Sequence, residues 1–419
     1  MKRVAPSRVY TCMSINSRSV TVEKKLRSGR SVWANSTNAL SRSLKTSIQA
    51  DVVVVGAGVS GAFMAHALAG LFDKVIVVDR RAPAQGSTMA STAMLQFEID
   101  TPLTELSEKI GPSKAARAWR RSWRATQALV KLVDSEGIRC GLRRADTLYL
   151  AGGGMGSRGL EKEMKARCRI GLPGEFLDAR RLHEVFGIDR TGAIFSPGAA
   201  SANPVALTQG LLRSAVRRGV SLYSPVEIKD VLATSHGVVM DAGKHFIEAK
   251  HAIFCTGYEL LKGLPRKGTK ITSSWAIASH PHAKLPRWLA STLVWEAADP
   301  YLYMRTTPDG RLIVGGEDED VDLPSYRARS MDRKTARLVS KAKKLVPGLE
   351  FALSRQWTGA FGESDDGLPI IDRVPDMPNC LAVMGFGGNG TIYSKIASEI
   401  VPTLLRGRPD KDAEIFRFR

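Results

Sequence analysis

The pattern of apolar residues near position 50 predicts a strand, a turn, a helix and a second strand in succession. Asp51 is followed by four valines, and a short continuous run of β-branched residues is typical of a strand buried on both faces of a parallel sheet. Apolar residues recur at helical intervals over 62–71, and Lys74-Val-Ile-Val-Val-Asp79 has the composition of another buried strand. The sequence therefore predicts an α/β domain with a parallel sheet at its centre.

The turn of this unit carries glycines in the order Gly-x-Gly-x-x-Gly. Gly56 permits a tight turn, Gly58 lets the backbone approach a pyrophosphate, and Gly61 lets the helix pack close to the sheet. The N-terminus of the helix offers free N–H groups to phosphates. Asp79 ends the second strand, where a carboxylate can accept hydrogen bonds from ribose hydroxyls. We interpret the unit as a dinucleotide-binding site.

A second glycine-rich loop opens a helix near the C-terminus. The order is a strand over 379–384, the loop Gly385-Phe-Gly-Gly-Asn-Gly390 and a helix over 391–405. Two such loops indicate a cofactor that spans the sheet. The intervening chain predicts a helix at 206–217, strands at 226–232, 237–239 and 251–257, an aromatic, strand-rich stretch from 275 to 316 and a basic helix at 340–346. The aromatic stretch suggests a separate sheet.

Composition excludes several classes of protein. The chain has 419 residues, 43% hydrophobic and 24% charged, which is ordinary for a globular protein of two or three domains. No run approaches the roughly 18 apolar residues that cross a bilayer. The five cysteines are widely separated and form no Cys-x-x-Cys pair, so we expect a reducing compartment, with the cytoplasm as the first candidate, and no metal site.

The net charge of +20 is concentrated at the N-terminus. Residues 1–50 carry ten Lys and Arg against one acid, Glu23. We interpret 1–46 as a solvated basic arm, with Ser31-Val32-Trp33 as an apolar anchor; an organelle transit peptide is the alternative. We expect that removal of residues 1–45 leaves cofactor content and activity intact.

Two further basic stretches recur at helical spacing. They are Arg117/Arg120/Arg121/Arg124 and Arg333/Lys334/Arg337/Lys341. Solvated helix faces are the favoured interpretation, and weak contact with a membrane surface or an acidic partner is the alternative. Specific binding of nucleic acid is not expected.

Taken in order, these motifs resemble the flavin-dependent D-amino-acid oxidase superfamily, which contains glycine oxidase, sarcosine oxidase and γ-glutamylputrescine oxidase. The resemblance covers roughly residues 50 to 419. It rests on the segments 51–61, 86–95, 256–257, 301–316, 357–359 and 366–372 and on the last glycine loop. It implies an FAD-binding domain of the glutathione-reductase type, Rossmann-like and doubly wound, joined to a substrate domain built on an antiparallel sheet. The implied FAD-binding domain comprises 47–139, 193–265 and 355–419, and the substrate-binding domain comprises 140–192 and 266–354.

The resemblance also implies which residues hold FAD. The candidates are Gly56, Gly58, Ser60, Gly61, Asp79, Arg80, Ser87, Thr88, Thr92, Met94, Leu95, Val226, Thr256, Gly257, Gly362, Gly387, Gly388, Asn389, Gly390 and Thr391. Gly359 and Ala90 fall near the places where related enzymes attach flavin covalently, so we expect noncovalent FAD.

The substrate site departs from the family pattern. Phe361 and Gly388 stand where amino-acid oxidases place arginines that pair with a substrate carboxylate. Arg305 is a candidate replacement, since Tyr301 and Tyr303 alternate with it on one face of a strand; an exposed surface charge is the alternative interpretation.

Acidic residues and a histidine pair add further candidates. Glu98 and Asp100 follow the loop expected beside the flavin, and either acid can attract a cationic amine or simply cap the next segment. His280 and His282 are interpreted as surface turn residues.

The leading function is therefore an FAD-dependent oxidoreductase that oxidises a C–N bond of a primary or secondary amine, or of an amino-acid derivative. Hydride leaves the carbon beside an unprotonated amine and arrives at flavin N5, and oxygen or another acceptor takes the electrons. The alternatives are a flavin-dependent hydroxylase, although the last glycine loop lacks the acid usual there, and a noncatalytic flavin-binding module with a basic contact surface.

Overall fold

A computed structural model describes residues 19–34, 40–264, 268–281, 285–384 and 387–419. Expectations for residues 1–18, which include Cys12, and for His282, Gly385 and Phe386 lie outside these ranges.

The strands of the described residues are numbered here in chain order. They are β1 (Arg27–Gly29), β2 (Ile48–Val55), β3 (Val75–Val78), β4 (Met94–Leu95), β5 (Arg143–Leu150), β6 (Glu175–Asp178), β7 (Gly192–Ser201), β8 (Ser221–Tyr223), β9 (Asp230–Thr234), β10 (Gly237–Asp241), β11 (Phe246–Phe254), β12 (Thr269–Pro281), β13 (Thr292–Glu296), β14 (Leu302–Thr306), β15 (Arg311–Glu319), β16 (Leu353–Ser364), β17 (Ile370–Arg373) and β18 (Cys380–Met384).

The helices follow the same convention. They are α1 (Val59–Leu68), α2 (Leu103–Ile110), α3 (Pro112–Ser135), α4 (Ser157–Arg169), α5 (Ala179–Phe186), α6 (Pro204–Arg217), α7 (Pro324–Arg329), α8 (Met331–Leu345) and α9 (Gly390–Leu405). None of these helices is long and apolar enough to cross a membrane.

The first sheet contains the predicted strand–helix–strand unit. Its strands lie in the order β17-β18-β11-β2-β3-β8, in which the five strands from β18 to β8 run parallel to one another and β17 is antiparallel to β18. Val52 and Val54 of β2 face α1, α6 and α9, whereas Val53 and Val55 pack on the opposite side against residues that include Val226 and the β9–β10 hairpin. Burial on both faces explains the unbroken run of valines.

The second sheet is almost entirely antiparallel. Its order is β1-β16-β12-β15-β14-β13-β5-β7-β4, with β6 added beside β7, and only the β13–β5 pair is parallel. Helix α8 packs on β12, β15 and β16. The α/β fold with a second, antiparallel domain is confirmed, since the structural neighbours described below share it.

Three strands pair with a sheet other than the one suggested by the expected domain ranges. Strands β4, β7 and β16 hydrogen-bond within the second sheet, although most of their residues fall in the ranges assigned to the FAD-binding domain. The reason is that a strand belongs to the sheet with which it pairs, and local sequence patterns do not specify a partner far along the chain.

Part of the N-terminal arm is packed on the body of the protein rather than solvated. Strand β1 pairs with β16, with Ser28 opposite Thr358. Trp33 is buried, and its indole N–H donates to the Ser91 carbonyl at 2.8 Å. The interpretation of residues 19–34 as a free arm is therefore wrong, whereas Trp33 is an anchor.

The two basic helix faces are paired with acids of the same chain. On α3, Arg117 and Arg121 contact Asp412 at 3.0 and 3.1 Å. On α8, Lys334 is buried and lies 2.7 Å from Glu319, while Lys341 lies 2.6 Å from Glu317. Much of the positive charge on these two helix faces is therefore neutralised by acids of the same chain.

Candidate functional site

A deep cleft lies between the two sheets, and both glycine-rich loops open into it. Most of the predicted cofactor residues line it: Gly56, Gly58, Ser60, Asp79, Arg80, Ser87, Thr88, Thr92, Met94, Val226, Thr256, Gly257, Gly387, Gly388, Asn389, Gly390 and Thr391. Tyr301 and Tyr303 line it as well. The topology thus brings together segments separated by more than three hundred residues of sequence.

The three glycines of the first turn have different surroundings. Gly56 has φ +111°, and a Cβ there would lie 2.3 Å from the Cys255 carbonyl oxygen. A Cβ on Gly61 would lie only 1.7 Å from the Gly56 carbonyl oxygen, so this glycine sets the close approach of α1 to the turn. A Cβ on Gly58 would point into the cleft, meeting only Thr88 Oγ1 at 3.2 Å. Gly56 and Gly61 therefore shape the turn, and Gly58 leaves it open to a ligand.

Asp79 holds the turn as well as lining the cleft. Its Oδ2 accepts a hydrogen bond from the Ala57 N–H at 2.6 Å, and its Oδ1 accepts one from the Arg81 N–H at 2.7 Å. Burial raises the pKa of Asp79, and the two backbone donors partly offset this effect. The carboxylate thus links the backbone of the glycine turn to the backbone that follows β3.

Two arginines follow Asp79, and each is held by hydrogen bonds to a different part of the chain. Arg81 donates two hydrogen bonds to Glu259, each 2.7 Å long, in a bidentate pair. Burial alone would raise the pKa of Glu259, but the hydrogen bonds from Arg81 and Lys24 and the charges of Arg81 and Arg80 together outweigh it, and the pKa is lowered. Arg80 donates to the hydroxyl groups of Ser19 and Thr21. Sequence reasoning missed both Glu259 and these N-terminal contacts, because no local pattern links them to the glycine turn.

At the far end of the cleft, Asp100 lies under the last glycine loop. Its Oδ2 accepts a hydrogen bond from the Gly388 N–H at 2.7 Å, and a Cβ on Gly387 would come within 2.6 Å of the same oxygen. Desolvation raises the pKa of Asp100 to about 6, although the side chain faces the cleft. The loop and this carboxylate form one unit at the N-terminus of α9.

The second sheet supplies an aromatic wall. Trp295 on β13 pairs directly opposite Tyr303 on β14, and the rings of Tyr301 and Tyr303 lie 5.6 Å apart. Phe361 lines the same cleft from β16. A Cβ on Gly315 would lie 2.3 Å from the Tyr303 ring, so this glycine makes room for the tyrosine. The wall offers π faces and two phenolic hydroxyls to a bound molecule.

Arg305 does not reach the cleft, which corrects its expected role as a clamp for a carboxylate. The side chain is 1% exposed, and its guanidinium donates to the carbonyls of Thr92, Ala202 and Thr306 at 2.6, 2.8 and 3.2 Å. It also lies 5.4 Å from the centre of the Trp33 ring. The alternation of side chains along β14 was correct, but the donors of Arg305 are satisfied by backbone and not by substrate. It is neither a clamp nor a surface charge.

Glu98 also lies behind the cleft. It is fully buried, its carboxylate accepts a hydrogen bond from the Thr147 hydroxyl, and its backbone carbonyl accepts one from Asn389. Burial raises the pKa of Glu98, and nearby Arg167 partly offsets the rise. Of the two acids considered from the sequence, Asp100 and not Glu98 faces the cleft. Glu98, one of the two acids expected to attract a cationic amine, therefore does not line the cleft.

Three predicted cofactor residues lie behind the residues that line the cleft. Gly61, Leu95 and Gly362 do not line the cleft. Leu95 is buried in the main core, and a Cβ on Gly362 would come 3.0 Å from the Tyr258 ring. These residues support the lining segments.

The model of the DAO family, described as FAD dependent oxidoreductase, matches residues 51–401. The chain belongs to this family. Glycine oxidase of Geobacillus kaustophilus is 23% identical over 371 residues, covering 85% of this chain and 92% of the relative. The γ-glutamylputrescine oxidoreductase of Escherichia coli is 25% identical over 389 residues, covering 89% and 86%. This FAD-dependent oxidoreductase also shares its fold with L-proline dehydrogenase from P. horikoshii, with a TM-score of 0.73, 18% identity and coverage of 88% and 97%.

The cleft of this oxidoreductase fits FAD. Thr256 Oγ1 and Gln96 Oε1 are buried on residues that line the cleft, and neither has a hydrogen-bond partner among the described residues. Unpaired buried polar atoms are costly unless a ligand satisfies them. The open face of Gly58, the N-termini of α1 and α9 and the carboxylate of Asp79 are likewise the groups that a dinucleotide uses.

Proposed function

We propose that this FAD-dependent oxidoreductase oxidises a C–N bond of an amine that binds at the aromatic end of the cleft, near Tyr301, Tyr303 and Asp100. FAD held by the two glycine loops would supply the acceptor for the hydride that leaves the carbon beside the nitrogen. The protein's own residues orient the substrate, exclude water and select the substrate by its charge. Oxygen or another acceptor then completes the cycle. Support for amines comes from the relatives, whose names specify glycine and γ-glutamylputrescine.

The distribution of charge along the cleft carries the proposal on substrate class. Among the described residues that line it, the cations are Arg80 and Arg81, both beside Asp79 at the end of β3. At the aromatic end the charged lining residue is Asp100. Burial raises the pKa of Tyr301 and Tyr303, and Asp318 lies close enough to both hydroxyl groups to add to the rise. Burial raises the pKa of Asp318 itself to about 7, so this side chain adds negative charge only above that pH.

An aromatic wall with a carboxylate and without a cation favours a substrate that carries positive charge and no essential carboxylate. Ring faces attract ammonium groups, and a carboxylate beside them adds to the attraction. A carboxylate on the substrate would instead meet Asp100 and the field of Asp318 without a partner of opposite sign among the described lining residues. We therefore favour a diamine or another cationic amine over a simple free amino acid.

The test compares substrates in the Asp100→Asn variant. With putrescine as the cationic probe, kcat/KM should fall about tenfold or more, because the variant loses one charge-assisted contact. With glycine it should stay level or rise. Asp230→Asn, which alters an exposed acid on β9, is the matched control and should change neither value. Equal losses for both substrates would contradict the role of Asp100 as a charge selector, and efficient oxidation of glycine alone would contradict the substrate class.

A further inference from the structure

Residues 19–34 precede the part of the chain that the family model matches, yet they form one wall of the cofactor cleft. Val20, Thr21 and Leu26 line the cleft directly. Thr21 is 2% exposed and Leu26 is 6% exposed, so both are packed as tightly as core residues. The segment is therefore part of the site in the folded protein.

The first half of the segment is hydrogen-bonded to loops of the first sheet, namely those before β9 and after β11. The Val20 N–H donates to the Ile228 carbonyl at 3.1 Å, and the Lys262 N–H donates to the Val20 carbonyl at 3.0 Å. The Lys24 N–H donates to Glu259 Oε1 at 2.8 Å. Glu259 is the same carboxylate that holds Arg81, so the segment and the arginine share one anchor.

The second half is fastened to the antiparallel sheet. β1 extends that sheet beside β16, and the Ala360 N–H donates to the Leu26 carbonyl at 2.8 Å. Trp33 is buried beyond β1, where it donates to Ser91 and lies over Arg305. Because its two halves are attached to different sheets, the segment bridges the cleft from one wall to the other.

The bridge also positions charge. Arg80 donates to the hydroxyls of Ser19 and Thr21, and Arg81 donates to the Lys24 carbonyl at 3.3 Å. Both guanidinium groups line the end of the cleft at which the first glycine turn opens, where a pyrophosphate needs positive partners. By holding these two arginines in place, the segment positions positive charge for the pyrophosphate and also covers the route by which the ligand would leave.

We propose that residues 19–34 form a strap that retains FAD, so that the cofactor dissociates at an appreciable rate only when this segment lifts from the two sheets. The proposal reverses the expectation that residues 1–45 are dispensable for flavin content. It rests on family membership and the contacts above, and not on the proposed amine substrate. Local opening of a segment of this size is an ordinary route for ligand release from an enclosed site.

The first experiment measures the rate of FAD release from the holoenzyme after dilution, by the fluorescence of free flavin. Trp33→Ala removes an anchor that does not line the cleft, and should raise the release rate about tenfold or more. Lys25→Ala changes an exposed side chain of the same segment and is the matched control, with an unchanged rate expected. A Trp33→Ala rate within twofold of that of the unmodified protein would overturn the proposal.

A reversible tether separates strap opening from a general loss of stability. Ser28 and Thr358 are directly opposite each other on β1 and β16, where side chains are close enough for an engineered disulfide. In the Ser28→Cys/Thr358→Cys protein, with the disulfide verified by mass spectrometry, oxidation should slow FAD release and reduction should restore it. A release rate identical in the oxidised and reduced forms would show that FAD leaves without movement of the segment, and would also overturn the proposal.

Discussion

Two alanine substitutions in the first glycine turn should differ in their effect on the apoprotein: Gly61→Ala should destabilise it and Gly58→Ala should not. At Gly61 the added Cβ would lie 1.7 Å from the Gly56 carbonyl oxygen, whereas carbon atoms and their neighbours normally keep about 3.5 Å apart. Helix α1 must therefore move by well over an ångström, although its residues Ala62, Phe63 and Ala65 are buried in the main core. Overpacking of this kind typically costs about 1 to 3 kcal/mol.

At Gly58 the same methyl group points into the cleft. It meets only Thr88 Oγ1 at 3.2 Å, and the backbone φ of −76° suits alanine. Gly58→Ala should therefore leave the stability of the apoprotein nearly unchanged, yet weaken FAD binding because the methyl group occupies the space through which a phosphate approaches the backbone.

The assay pairs thermal unfolding of both apoproteins with FAD titration followed by flavin fluorescence. Gly61→Ala should lower the apoprotein Tm and the affinity for FAD together, whereas Gly58→Ala should lower the affinity alone. An unchanged Tm and full flavin content in Gly61→Ala would refute the argument that this glycine sets the helix–turn contact. A clearly lowered apoprotein Tm in Gly58→Ala would refute the argument that its Cβ meets little of the protein beyond Thr88 Oγ1.

Three further outcomes follow from the site. Acid precipitation of the holoenzyme should release all flavin into the supernatant, because Gly359 and Ala90 offer no attachment atom; yellow colour in the pellet would contradict noncovalent binding. Arg305→Met should lower the Tm, since three buried carbonyls lose their donor, without changing the preference between putrescine and glycine; a changed preference would return Arg305 to the substrate site. Because the pKa of Asp100 is raised to about 6, its carboxylate is charged above that pH and neutral below it, so KM for putrescine should rise as the pH falls through about 6. This rise should be absent in Asp100→Asn, and its persistence there would assign the titration to another group.

The sequence predicts the parts of the site that depend on local patterns. The run of valines in β2, the glycine spacing and the second glycine loop each have a mechanism that acts over a few residues. The structure places Gly56 and Gly58 of the first turn and residues 387–390 of the second loop around one cleft. Whether a segment is a helix or a strand also depends on local pattern and was predictable for the same reason. One example is α6, which is predicted at 206–217 and found at Pro204–Arg217.

What the sequence could not supply depends on contacts between distant segments. Thr21 reaches the cleft because residues 20–24 hydrogen-bond to Ile228, Glu259 and Leu260, and no pattern in the basic arm specifies those partners. Arg305 was placed on the correct face of its strand, yet its environment is set by the carbonyls of Thr92 and Ala202, far away in the chain. The excess positive charge of the arm predicted a solvated segment, but in the structure this segment is packed on the protein and Trp33 is buried.

The most direct test of the proposed function is anaerobic mixing of the purified holoenzyme with amines while the visible absorbance of its flavin is recorded. Putrescine or another cationic amine should bleach the flavin within the time of turnover, faster than glycine or D-alanine does, and readmission of an electron acceptor should restore the colour. If the bound flavin is reduced by dithionite but by no amine, the protein binds FAD without oxidising C–N bonds and the account is contradicted.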